Sequence, residues 1–135
     1  MSGIKSHFFF IIFIIIIIYI HMAKIKIIFI FLFGCMFARL LMVYVAKNIN
    51  INYLPYYGLI TLIISVMFLK NYINNSNFET GFFGNRVWWN NNRLIHSLLY
   101  FIFSIMAFYK NKNAWIILLV DTIFGLITFN FKYFI

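Results

Sequence analysis

The chain of 135 residues has only two acids, and one of them, Asp121, lies inside an apolar run, residues 114–131. An ionised carboxylate in such a run costs several kcal/mol unless a cation or hydrogen-bond donors meet it. Arg39 is the matching cation, because it lies inside a second apolar run, residues 27–46. Depth decides whether the two can meet. Arg39 stands eight residues before Lys47 (47 − 39), and Asp121 stands eight residues after Asn113 (121 − 113). At the rise of an α-helix both fall roughly 11–12 Å below one surface. An Arg39–Asp121 ion pair between two helices is therefore expected. Reflecting the chain about the 110–113 turn places Tyr100 and Ser104 opposite Asp121, and His96 opposite Thr128. Arg39, Tyr100, Ser104 and Asp121 then make an intramembrane polar cluster. The chemistry open to it is passage of a proton or ion, with His96 and Tyr100 as relay. The same residues equally suit polar packing that selects which helices associate.

A second constellation lies in residues 81–100, GFFGNRVWWNNNRLIHSLLY. Arg86, Trp88, Trp89, Arg93 and His96 read as a platform at the membrane surface, where indole rings and cations sit at headgroup level. Arg86 and Arg93 would anchor to phosphate headgroups or dock an acidic segment of a partner. Glu79, just ahead, reads as a solvated loop charge. No serine, cysteine or threonine is placed with a base and an orienting group, so no enzyme is expected. Three scattered histidines and the lone Cys35 supply neither a metal-ligand set nor a disulfide, and no cofactor is expected. Cys35 reads as a small residue packed between helices.

These residues need elements to hold them, and composition says which. The chain is 65% hydrophobic, 23% aromatic and 10% charged, with mean hydropathy +0.98, where a soluble domain is about 45–50% apolar and about 25% charged. The net charge of +9 is spread singly over the ends of apolar runs. That placement suits anionic headgroups and topology control, and it lacks the dense basic patch that nucleic acid requires. Ile, Phe, Asn, Lys and Tyr make up more than half of the chain. Their shared AT-rich codons weaken any argument from Asn-rich pieces.

The expected fold is an all-α integral membrane bundle in one domain, residues 1–135, with four helices over 27–46, 53–69, 93–109 and 114–131. Residues 4–23 are read as an extra N-terminal crossing, with a signal-type segment and a leader upstream of a start at Met22 as the alternatives. Gly34 and Ala38, four apart, would let helix backbones approach. Pro55 suits a first turn, and Tyr53, Tyr56 and Tyr57 an interfacial belt. Gly58, Thr61 and Ser65 make one small polar stripe; Arg93, His96, Ser97, Tyr100, Ser104 and Ala107 make another. Residues 71–92 read as an interfacial loop, with Lys70 closing the helix before it. The glycosylation sequon at Asn74 is expected to go unused.

With the helices counted from Ile27, one side carries Lys24, Lys26, Lys70, Arg86, Arg93 and Lys132, and the other Lys47, Lys110 and Lys112. The positive-inside rule then makes the first side, with the 71–92 loop and the C-terminus, cytoplasmic.

In GFFG, VWW, Arg93, His96 and Tyr100, followed by AW and the Asp121–Gly125 run, the chain resembles a group of small multi-pass membrane proteins of nucleocytoplasmic large DNA viruses. Position 85 is Asn where that pattern has glycine. The resemblance covers the C-terminal half and implies source and location: a viral inner membrane or a host membrane, with the lipid bilayer, a second copy, or other viral membrane or capsid proteins as partners. The reading from residues is a membrane protein without a catalytic site; a small proton or ion channel built on the Asp121 cluster is the alternative.

Overall fold

Pro55 sets where a 20-residue helix begins. In a first turn its missing N–H does no harm and its ring presets the helical φ, and α2 runs from there over Leu54–Ile73. The computed structural model describes residues 14, 15, 17–19, 21, 22, 25–74 and 90–133. Its other helices are α1 (Phe37–Asn48), α3 (Asn92–Phe108) and α4 (Trp115–Tyr133), with a π-helical segment, Phe31–Met36, ahead of α1. Every described element is helical.

The chain divides into two compact units, Met1–Cys35 and Met36–Ile135. In the first, the Phe29 and Phe33 rings stack at 4.6 Å. Cys35 is a free, exposed thiol, not the packed residue that the sequence suggested. Ala38 is exposed too, and a Cβ built on Gly34 would meet Ile30 of its own helix at 3.9 Å.

In the second unit α2 packs most extensively on α3, and α4 packs on both α1 and α3. The expected stripes meet in the α2–α3 seam. A Cβ on Gly58 would fall 2.8 Å from Ala107 Cβ and 3.2 Å from the Ser104 carbonyl, so the glycine is what lets these antiparallel backbones approach. One turn on, the Thr61 and Ser104 hydroxyls lie 3.0 Å apart. Next, Ser65 Oγ donates to the Ser97 carbonyl at 2.8 Å while Ser97 Oγ donates to the Ser65 carbonyl at 2.9 Å. Hydroxyls satisfied on neighbouring backbone can be buried without penalty. Below the seam an apolar cluster holds Val43, Ala46, Leu54, Phe103, Ala107, Ala114 and Leu118.

Both turns of this end of the unit use one device. In Asn50-Ile51-Asn52 the Asn50 side chain accepts the Asn52 N–H at 3.1 Å, and its carbonyl accepts the Tyr53 N–H at 2.9 Å. In Asn111-Lys112-Asn113 the Asn111 side chain accepts the Asn113 N–H at 2.9 Å, and its carbonyl accepts the Ala114 N–H at 3.1 Å. These are Asx-turns, each leading into a helix. The end of α3 adds a Schellman closure: Asn111 N–H bonds to Met106 O at 2.9 Å and Lys110 N–H to Ala107 O at 3.0 Å. Lys110 occupies the left-handed position, φ 53, where glycine is the usual residue.

Polarity is inverted relative to a water-soluble fold. Thr61, Ser65, Arg93, His96, Ser97, Ser104, Asp121 and Thr122 are buried, while Ile63, Val66, Met67, Leu98, Phe101 and Phe131 face outward. Among the described residues three helices are long and apolar enough to cross a membrane: Ile25–Asn48, Leu54–Ile73 and Trp115–Lys132, with mean hydropathies of 2.3, 1.4 and 1.6. They are compatible with a membrane protein. The third of the four expected crossings, α3, is shorter at 17 residues. Lys70 does not close its helix, which continues to Ile73; a side chain this long keeps its charge at the surface while its backbone stays helical. The loop expected over 71–92 therefore begins at Asn74. Its interior, including the sequon's Asn75 and Ser76, lies outside the described residues, as does most of the stretch expected at 4–23.

Candidate functional site

Three helices contribute one side chain each to a single ionic triad. Arg39 of α1 reaches Asp121 of α4 with Nη1 2.6 Å from Oδ2 and 3.3 Å from the Asp121 carbonyl oxygen. His96 of α3 places Nδ1 2.5 Å from the other carboxylate oxygen, Oδ1. Asp121 is 1% exposed and His96 4%, and the Arg39 side chain is 13% exposed. A carboxylate so deeply buried needs both partners, because removal from water costs more than one contact returns.

Nδ1 of His96 also lies 3.2 Å from Arg39 Nη1, and a single ring nitrogen cannot donate to Asp121 and accept from Arg39 together. With Asp121 ionised, the 2.5 Å contact requires the proton on Nδ1. The arginine donates to the carboxylate.

The local sequence makes room for this. Gly125 follows Asp121 by one helical turn, and a Cβ there would stand 3.2 Å from Arg39 Nη1 and 3.8 Å from His96 Cε1. The missing side chain is the slot for the guanidinium. The His96 ring lies between Phe68 of α2, at 5.9 Å, and Phe124 of α4, at 5.4 Å in an edge-on pose, so apolar rings from two helices hold its orientation.

The structure thus brings Arg39 and Asp121 together, and it relocates His96 and Ser104. His96 meets Asp121, not Thr128, whose hydroxyl bonds to the Phe124 and Gly125 carbonyls of its own helix. The reason lies in the turn: reflection assumed that α3 and α4 end flush, but the chain folds inward after Lys110 and buries Ala114 beside Ala107 and Phe103. That displacement takes His96 out of the surface platform. Ser104 bonds to Thr61 and to the Tyr100 carbonyl, in the α2–α3 seam and not around Asp121. The Tyr100 hydroxyl donates to Met42 Sδ at 3.8 Å, while its ring stacks on Phe68.

Arg93 is likewise buried, not displayed to headgroups. Its Nη1 donates to Asn90 Oδ1 at 3.0 Å and to the Asn71 carbonyl at 3.4 Å. It thereby ties the end of α2, whose last carbonyls lack helical partners, to the start of α3. Asn90, which sequence reasoning passed over, is buried; its three-residue spacing from Arg93 was the available signal. Arg86, Trp88, Trp89 and Glu79 lie outside the described residues. Among the described residues no three His, Cys, Asp or Glu side chains are grouped to hold a metal ion. The histidine–carboxylate pair is the orienting half of a hydrolytic triad, but the nearby hydroxyls of Ser65 and Ser97 are committed to each other. No protein-family model matches this chain, and no curated protein or solved structure matches it either.

Proposed function

We propose that this chain is a multi-pass integral membrane protein with a structural, non-catalytic role, its helices locked together by Arg39, Asp121 and His96. The observation that supports it is the sealed carboxylate: Asp121 is held from two sides by groups of two other helices inside a unit whose outward faces are apolar. In hydrocarbon such a lock selects the helix partners, since each member strands a polar group if it pairs elsewhere. On this reading α3 is a fourth crossing at the short limit of what spans a bilayer. Lysine and arginine placement supports a cytoplasmic C-terminus and 71–92 loop. The resemblance in GFFG, VWW and the Asp121 helix supports a place in a viral inner membrane or a virus-modified host membrane, beside capsid or other membrane proteins. Detection of the chain in purified virions tests that placement, and its absence there removes it. Capsid partners lost from crosslinked pull-downs on Trp88→Ala/Trp89→Ala substitution would support the scaffold role.

The close His96–Asp121 contact favours one second reading, a proton-conducting channel. Liposomes carrying the protein and an internal pH dye separate the two. The structural reading expects no flux above empty liposomes; flux that disappears in Asp121→Asn would replace it with the channel.

A further inference from the structure

Antiparallel packing of α1 on α4 brings the end of α1 and the α3–α4 turn to one end of the second unit. Lys47 Nζ stands 4.9 Å over the Trp115 ring, close to the turn that carries Lys110 and Lys112. All three lysines are exposed. Among the described residues no carboxylate is available to them there: Asp121 is committed to Arg39 and His96. Tyr44, Tyr53 and Tyr109 expose 66%, 62% and 83% of their surface around the same end, the pattern of an aromatic belt at headgroup depth. Lys110 is the most informative of the three. It holds a left-handed backbone position, φ 53, that glycine would fill without steric cost, and places its cation at the tip of the turn.

We infer that Lys47, Lys110 and Lys112 form a binding site for the phosphate of anionic phospholipids. The inference rests on the membrane reading above. Phosphate is the anion that matches three point charges without bidentate geometry, and the surrounding tyrosines and apolar faces fix its source as a headgroup and not a soluble ion. The attraction is to headgroup charge and holds for whichever leaflet this end occupies.

The full chain is reconstituted in nanodiscs of equal phosphatidylcholine and phosphatidylglycerol, and the lipids retained after detergent release are counted by native mass spectrometry. Phosphatidylglycerol should be enriched by about fivefold for each lysine engaged. Lys47→Gln/Lys110→Gln/Lys112→Gln should lose that enrichment. The matching triple arginine variant and Lys132→Gln should keep it. Lys112→Gln alone supplies the readout if the triple glutamine variant does not fold. Equal retention of both lipids by the wild-type protein overturns the site, as does enrichment unchanged in the glutamine variants. Loss of enrichment on adding millimolar inorganic phosphate overturns the lipid source. A chain that will not enter nanodiscs removes the membrane reading itself.

Discussion

At the scale of single residues, the triad is a matter of stranded charge. Asp121→Asn leaves Arg39 without its counter-ion, and Arg39→Gln leaves the carboxylate without its main donor. Each should destabilise the protein by about 3 kcal/mol, and the double variant by clearly less than the sum. Unfolding by SDS in mixed micelles measures this, and strictly additive losses would show that the two side chains are not coupled. Gly125→Ala pushes a methyl group against Arg39 Nη1, at 3.2 Å before any adjustment. Because the obstacle is the end of a flexible side chain, the expected loss is only about 1 kcal/mol, and it should vanish in an Arg39→Gln background. Depth alone made the Arg39–Asp121 pair legible in the sequence, because a charge in hydrocarbon has few places to go. His96 was not legible as the third member. Its position depends on how far the chain re-enters the bundle after Lys110, and no periodicity within a helix records that.

At the scale of elements, the stripes on α2 and α3 were legible because small and hydroxyl residues recur at helical spacing, and the seam joins them. Gly58→Ala should cost about 2 kcal/mol, since its Cβ would collide with Ala107 and with backbone that cannot swing away. Ala107→Gly should restore most of that loss in the same SDS titration. A Gly58→Ala variant as stable as wild type would mean that the helices do not approach so closely. Lys110→Gly should do the opposite and stabilise by about 1 kcal/mol, by relieving the left-handed position, while lowering the preference for anionic lipid. What composition hid was the use of asparagine. A chain rich in AT-coded residues offers asparagine everywhere, so the two Asn-x-Asn turns carried no weight as sequence. In the structure both side chains accept the N–H two residues on, and both launch a helix.

At the scale of the whole molecule, hydropathy made the long apolar helices legible and left the pairing of faces open. Three apolar helices of sufficient length and a buried polar interior make one prediction about partitioning. The protein should stay in the membrane pellet through alkaline carbonate washing and should need detergent to dissolve; recovery in the carbonate supernatant would contradict the membrane reading. Labelling sharpens this. Cysteine placed at Ile63 or Leu98, both outward-facing, should resist a membrane-impermeant maleimide in intact vesicles, whereas Lys112→Cys should react from whichever side its turn faces.

The ion pair also carries a schedule. Arg39 precedes Asp121 by 82 residues, so at about 5–20 residues per second of synthesis the guanidinium is made roughly 4–16 s before its counter-ion exists. On the membrane reading, the first crossing would hold an unpaired cation throughout that interval, with water or headgroups as the places its charge can reach. On the membrane reading, a chain that stops before α4 never meets that counter-ion, and it should insert less completely than the full chain.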